Sequence, residues 1–289
     1  MQLSEEDLVN AFGIAGASNN PLYVSRRGEV SMWKGVAHAY ATHNAIQACQ
    51  LARNGMTGPE AIFEGPFGFF EAVSDGEITF PDKPNFENLR IMRTSIKSFA
   101  CGYYIHSPVT GVLQLIDEHE IDPEAIDSIR IEIFEHAADM LATSNNWATD
   151  LNRETADHSI PYTVAVAVLE GEVTLGQYSE RYLRSPSVHE LMGRIKVEGT
   201  PELTDHRSRH PRHIPSITTI TVNEEEYKKR IDCQLGHPEN PMAEEQIEQK
   251  LIENCQRYIS DTQIQEVIGV CRSVTELDSL DPILRPLVI

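Results

Sequence analysis

The sequence predicts a mainly α protein interrupted by a smaller α+β unit: an all-helical domain, present in part, with an α+β lid inserted in it. Three observations lead there. Helix-period apolar residues with recognisable caps occupy the first part of the chain and return after residue 243. Between them, Ile129, Ile131 and Ile133 alternate with Ser128, Arg130 and Glu132, the period-two pattern of a half-buried strand. Strand-like runs at 195–197, 217–222 and 227–235 fall in the same middle portion. The expected division is therefore 1–91 helical, 92–238 α+β, and 239–289 helices returning to the first body.

Taken in order, Ser4-Glu5-Glu6-Asp7 reads as a capping box, with Leu8, Phe12 and Ala15 at helical spacing behind it and Asn19-Asn20-Pro21 as the break. Residues 33–53 form a long alanine-rich helix closed by Asn54-Gly55, and small residues of this kind suit an interior helix. A short helix is expected over 59–71, a turn at Asp75-Gly76, and an irregular surface loop over 81–88. Ser107-Pro108 opens a helix to about Glu118, ended by Ile121-Asp122-Pro123. Pro161 lacks an N–H but suits a first helical turn, so a helix begins around 159–161 and runs through the apolar residues 163–169. Short helices follow at 175–183 and 188–193. The runs 217–222 and 227–235 pair as a hairpin through 223–226. Residues 243–258 and 262–271 are helical again.

Composition bounds the function. With 289 residues there is room for one large domain or two ordinary ones. No run approaches the roughly 18 apolar residues of a membrane span, and the first residues lack the basic and apolar regions of a signal peptide. A cytoplasmic protein is expected. The five cysteines are scattered, with no Cys-x-x-Cys, and read as reduced thiols without a zinc or iron–sulfur role. Acidic residues number 44 against 24 basic, a net charge of −20, and only seven residues are lysine. That balance argues against nucleic acid and anionic membranes as partners. It suits a salt-rich interior in which screening removes self-repulsion, and it draws attention to Lys34 and Lys97.

Several clusters can carry chemistry. Asp157, His158 and Tyr162, three proton-moving groups within six residues, stand at the mouth of an apolar helix whose positive end favours anions. Lys34 heads the alanine-rich helix, where the helix dipole disfavours a cation unless an anion joins it. Read as Ser31-x-x-Lys34, the same spot resembles a serine-acylation motif, but the companion motifs are absent. Lys97 and His106, nine apart with glycine and small residues between them, can converge across a loop; on its own, His106 reads more simply as the cap of the next helix. His206, His210 and His213 belong to a cationic island. A loop broken by Pro211, with no cysteine or acid between the histidines, favours a solvated loop over a metal or carboxylate site. His38 and His43, five apart, do not share a helical face and read as core or interface histidines.

On particular stretches the chain resembles the MmgE/PrpD family, which includes 2-methylcitrate dehydratases and cis-aconitate decarboxylases. These are Met32-Trp33-Lys34-Gly35 with its helix, Asn54-Gly55-Met56-Thr57-Gly58-Pro59 followed by Phe63-Glu64-Gly65, and Lys97 through His106. Ala156-Asp157-His158-Ser159-Ile160-Pro161-Tyr162 and Gly236-His237-Pro238-Glu239-Asn240-Pro241-Met242 complete the set, in family order. The resemblance implies that 1–91 is the C-terminal part of the family's N-terminal helical domain and 92–238 its lid, in a homodimer using no cofactor, metal or iron–sulfur cluster. It places Lys34, Lys97 and Tyr162 on active-site positions, matches Asp157-His158 to an Asp-His pair of dehydratase-like members, and matches His106 to a histidine common in its segment. Gly102 stands where decarboxylases carry a catalytic histidine. The expectation is therefore a hydro-lyase acting on a hydroxy-tricarboxylate such as 2-methylcitrate. Lys34 and Lys97 would bind carboxylates, and Tyr162, His158, Asp157 and His106 would handle protons. The alternatives are a decarboxylase-like lyase or a truncated, non-catalytic chain or subunit. Family members carry a long helical segment upstream of the point where this sequence starts, so a separate N-terminal half is an expected partner.

Overall fold

The structure is a computed structural model that describes residues 1–20, 22–26, 30–74 and 89–288. Pro21, the expected turn at Asp75-Gly76 and the loop expected over 81–88 lie outside the described residues.

Helix α1 (Glu5–Ser18) starts on the capping box read from the sequence. The Ser4 hydroxyl accepts from the Asp7 N–H at 3.1 Å, and the Asp7 carboxylate accepts from the Ser4 N–H at 3.2 Å. Helix α2 (Trp33–Arg53) ends at Asn54, and Gly55 takes a left-handed φ of +88° just beyond it. The two helices pack together, but of the 21 residues of α2 only Asn44, Ala48 and Ala52 are buried. This corrects the expectation of an interior helix: α1 packs on part of it, its first turn meets the α+β unit through Lys34, and among the described residues much of the remaining surface is bare. His38 and His43 are exposed on that bare surface and are not core histidines. The helix expected over 59–71 shrinks to α3 (Phe69–Ala72), because Gly65, Pro66 and Gly68 break 60–68 into turns. Phe63, Phe69 and Phe70 cluster there, with Phe12 of α1 against Phe63.

The α+β unit comprises α4 (His106–His119), β1 (Ser128–Phe134), α5 (Glu135–Leu141), α6 (Arg153–Ala156), α7 (Ile160–Glu170), α8 (Glu180–Leu183), α9 (Pro186–Met192), β2 (Ile195–Thr200), α10 (Pro201–Arg209), β3 (Ser216–Val222) and β4 (Glu225–Ile231). The sheet order is β2-β1-β3-β4, with β1 and β2 parallel and the other pairs antiparallel. A parallel pair needs a long crossover, and α5 to α9 supply it. The β3–β4 hairpin is tighter than expected. Asn223 and Glu224 both take positive φ and form a two-residue turn, so Glu225 and Glu226 join the strand.

Ile129, Ile131 and Ile133 are fully buried, as their alternation requires. Helix α4 packs on β3 and β4, and α7 packs on α4, α9 and β2. From Ile160 to Val168 every residue of α7 is buried, which explains an apolar run without a polar face. Helices α5 and α10, neither read from the sequence, pack on β1 and β2. The chain closes with α11 (Glu244–Cys255), α12 (Asp261–Arg272) and α13 (Asp281–Leu284). Helices α11 and α12 meet over a small core of Ile259, Ile264 and Ile268. Lys250 and Asn254 of α11 face the segments 98–100 and 172–176 across a cavity of about 210 Å³. Among the described residues no helix is long and apolar enough to cross a membrane.

The buried and bare helix surfaces make opposite predictions. Ile131→Ala should cost about 2–5 kcal/mol by removing a fully buried side chain. Ala41→Ser, on the exposed part of α2, should stay within about 0.5 kcal/mol. Urea unfolding of both variants measures this, and comparable losses would contradict the burial pattern.

Candidate active site

Two segments more than a hundred residues apart meet at the start of α2. The Val30 N–H donates to Thr155 Oγ1 at 3.2 Å. One turn on, the Lys34 amine lies 2.8 Å from His158 Nδ1 and also contacts Nε2. The Asp157 carboxylate meets His158 Nδ1 and lies 4.0 Å from Lys34 Nζ. The Lys34 side chain is 13% exposed, enough for a small solute to reach it but too little for free solvation.

The geometry follows from how little chain separates α6 from α7. Asn152 caps α6, its side chain accepting from the Thr155 N–H at 2.8 Å. Ser159 caps α7, accepting from the Tyr162 N–H at 3.1 Å and donating its own hydroxyl to the Asn146 carbonyl at 2.7 Å. Asn146 Nδ2 in turn donates to the His158 carbonyl at 3.1 Å. Asn146 was not singled out from the sequence. Its short polar run, Ser144-Asn145-Asn146, gives no sign of which residue turns inward.

The Lys97 loop joins through backbone contacts. The Gly102 N–H donates to the Asp157 carbonyl at 2.7 Å. A Cβ at position 102 would lie 3.3 Å from both that oxygen and His158 Cδ2, so glycine lets the loop run directly beside the histidine. Lys97 Nζ donates to the Cys101 carbonyl at 2.8 Å, folding the amine back along its own loop. His106 is fully buried behind the loop, with Nδ1 3.1 Å from Ser98 Oγ. Burial first, then the charges of Lys97 and Lys250, push its imidazole down to about 3, so it is neutral near pH 7. Burial likewise pushes the Cys101 thiol up to about 12, leaving it protonated. Lys250, on α11, was also passed over, although a lysine in so lysine-poor a chain was a usable signal.

Tyr162 sits elsewhere. It is fully buried, its hydroxyl donates to the Gln177 carbonyl at 2.6 Å, and burial raises its phenol above the ordinary value. The structure thus brings Lys34, Asp157 and His158 into contact and sets Lys97 and His106 on the adjoining loop. The Tyr162 hydroxyl points into the core instead. The contact cluster can hold an anion beside Lys34 and move a proton through an Asp-oriented imidazole.

A mainly α chain whose helical part and α+β unit together build a lysine–histidine–aspartate cluster is the class these features define. The chain belongs to the MmgE/PrpD family: the MmgE/PrpD C-terminal domain matches residues 99–273 and the MmgE/PrpD N-terminal domain matches residues 1–81. Lys34 falls in the N-terminal match, Asp157 and His158 in the C-terminal one. Relatives include a 2-methylcitrate dehydratase of Cupriavidus necator, 26% identical over 228 residues, covering 76% of this chain and 46% of the relative. A cis-aconitate decarboxylase of Mus musculus is 23% identical over 260 residues, covering 85% of this chain and 50% of the relative. A 2-methylcitrate dehydratase of Escherichia coli (strain K12) is 23% identical over 223 residues, covering 75% and 46%. The chain spans about half the length of the curated relatives it matches.

The buried His106 has a measurable consequence. Below pH 6.5 the unfolded chain protonates this histidine while the folded protein, with its imidazole at about 3, does not. The unfolded state then binds more protons, so the His106 contribution is complete above pH 6.5 and is lost as pH falls towards 3. Between pH 7 and 4.5 the protein should lose about 2–3 kcal/mol more stability than its His106→Asn variant. Urea midpoints at both pH values test this, and equal pH slopes would rule it out.

Proposed function

We propose that this chain carries the lysine–histidine–aspartate side of a hydro-lyase site acting on a hydroxy-tricarboxylate of the 2-methylcitrate type. The observation that supports it best is the contact of Lys34 with the Asp157–His158 pair across the two family-matching segments. Dehydration of such a substrate removes a proton α to a carboxylate and expels a β-hydroxyl. Negative charge then builds on a group that is already anionic, and fixed cations beside it lower the barrier. Lys34 and Lys97 take that role. His158, oriented by Asp157, moves the proton. Tyr162 supports α7 from the core, while His106, neutral and buried, holds the Lys97 loop through Ser98. Gly102, where the resemblance implies a histidine in decarboxylases, weighs against decarboxylation.

The bare face of α2 bears on partners. Residues 35–52 contain no Asp, Glu, Lys or Arg, although 24% of the chain is charged. Tyr40, Val36 and Ile46 are about half exposed there. A helical portion of the kind that full-length relatives carry beyond the span matched here would cover this face, within a homodimer.

Activity is tested by incubating the chain with 2-methylcitrate in high salt, alone and co-expressed with the other half of a family member. The ultraviolet absorbance of the unsaturated product is followed. Turnover should appear in the completed assembly. Lys34→Ala and Lys97→Ala should each lower kcat by about 10²–10³-fold, the loss typical of one preorganised charge-stabilising group. Unchanged turnover in either variant removes that lysine from the site, and no absorbance change under any condition rejects the hydro-lyase reading.

A further inference from the structure

The basic run 206–213 has no part in the site above, and it is only in part the solvated loop its sequence suggested: residues 208–212 are exposed, but His213 is buried. Helix α10 carries His206 in its last turn, and the rings of His206, His210 and His213 gather with centroids 4.8–5.6 Å apart. His213 is buried, and two residues from the loop after β4 reach it. The His237 ring stands edge-on to the His213 ring at 5.1 Å, and Cys233 completes the group. One ligand atom from each of His213, Cys233 and His237 lies within 4.8 Å of the other two.

Two further observations point to an occupant. His237 is 0% exposed, yet its Nε2 has no hydrogen-bond partner, an uncommon and costly state for a buried ring nitrogen. His213 Nε2 lies 3.0 Å from Glu239 Oε2, the carboxylate support that fixes a metal-binding imidazole, while its Nδ1, the nitrogen left for the ion, lies 3.4 Å from His206 Nε2, a contact the ion would displace. Two imidazoles and a thiol suit a borderline-soft ion, not magnesium or calcium, which take oxygen ligands.

We propose that His213, Cys233 and His237 form a transition-metal site of the zinc type, with Glu239 behind His213 and solvent in the fourth position. Tetrahedral zinc sets its nitrogen and sulfur ligands about 3.3–3.8 Å apart, so capture draws the three inward by roughly an ångström. The Cys233 thiol proton leaves to solvent, because the thiolate is the ligand. The Glu239 N–H donates to His237 Nδ1 at 3.1 Å, so the neutral ring holds its proton on Nε2; binding the ion there moves that proton to Nδ1, and the ring stays neutral while the Glu239 N–H gives up its contact. The ion's two positive charges are then balanced by the Cys233 thiolate and by the Glu239 carboxylate behind His213. No electron is transferred.

The site clips together the segment leading into β3 and the loop following β4. Gly236 lies within that loop at a φ of +88° and accepts a hydrogen bond from the Ile96 N–H at 2.8 Å, immediately before Lys97. The clip therefore holds the backbone that carries Lys97, but its existence does not depend on the reaction catalysed.

Chelator-stripped protein titrated with Co²⁺ should bind one equivalent and develop a near-ultraviolet thiolate-to-cobalt band together with tetrahedral visible bands. Zn²⁺ should displace the cobalt and raise the Tm by several degrees. Cys233→Ser should lose the near-ultraviolet band and the Zn²⁺-dependent rise in Tm while keeping its far-ultraviolet circular dichroism. Cobalt binding without a thiolate band in the unsubstituted protein, or no binding at all, overturns the proposal. That result requires no variant to fold. An equal Zn²⁺ effect in folded Cys233→Ser overturns it as well.

Discussion

Everything at the candidate site hangs on the turn formed by Asp157, His158 and Ser159. These three residues end α6, begin α7 and present the reactive side chains, and the carbonyls of Asp157 and His158 find partners outside both helices. Buried carbonyls left unpaired are costly, and each partner draws in a different part of the chain. The Asp157 carbonyl takes the Gly102 N–H, which sets the Lys97 loop beside the histidine. The His158 carbonyl takes Asn146. Thr155, one turn earlier, takes the Val30 N–H and aims α2 so that Lys34 reaches the cluster. The same backbone requirements that complete a helix–turn–helix connection thus assemble the chemistry.

Charge is arranged on the same plan. Of the seven lysines, Lys228 and Lys229 on β4 pair with Glu132 and Glu118 at 4.0 and 2.5 Å, ordinary surface pairing in an acidic chain. Lys34, Lys97 and Lys250 instead border the buried segment from Cys101 to His106 or the cluster beside it. A protein with a net charge of −20 repels a polyanion at long range, and high salt shortens that repulsion to a few ångströms. What then decides binding is the set of cations at contact distance.

The fold was legible where one residue type settles a local question. Ser4 and Asp7 marked the start of α1, Pro161 the start of α7, and three alternating isoleucines a strand buried on one face. It was less legible where competing signals overlapped. A short helix was expected over 59–71, but Gly65, Pro66 and Gly68 left only four α-helical residues. Glu224 gave no hint of a left-handed turn. Of the site, the turn itself and both of its lysines were readable, because proton-moving groups at a helix start and scarce cations stand out in one dimension. Asn146 was not, nor was the convergence of Cys233 and His237 on His213, since both depend on which loops the sheet brings together. Tyr162 shows the converse: its position in the sequence suggested a proton donor, while the packing of α7 turns its hydroxyl to Gln177.

Helix α2 joins these threads. Its start holds Lys34 against His158, and the next 18 residues carry no Asp, Glu, Lys or Arg. An exposed helix face without charged side chains in so acidic a chain is the kind of patch that the logic of apolar surfaces associates with interaction. The strength of an ion pair depends on the dielectric around it, rising severalfold as water is excluded. A partner laid over α2 would therefore also dry the surroundings of Lys34, strengthening its attraction both to Asp157 and to a carboxylate placed beside it. Because Asp157 already lies 4.0 Å from the amine, the two compete for one cation. A carboxylate of the proposed substrate would prevail only by making contacts that Asp157, 30% exposed and shared with His158, does not make. Covering α2 and tuning the site are in this way one physical problem.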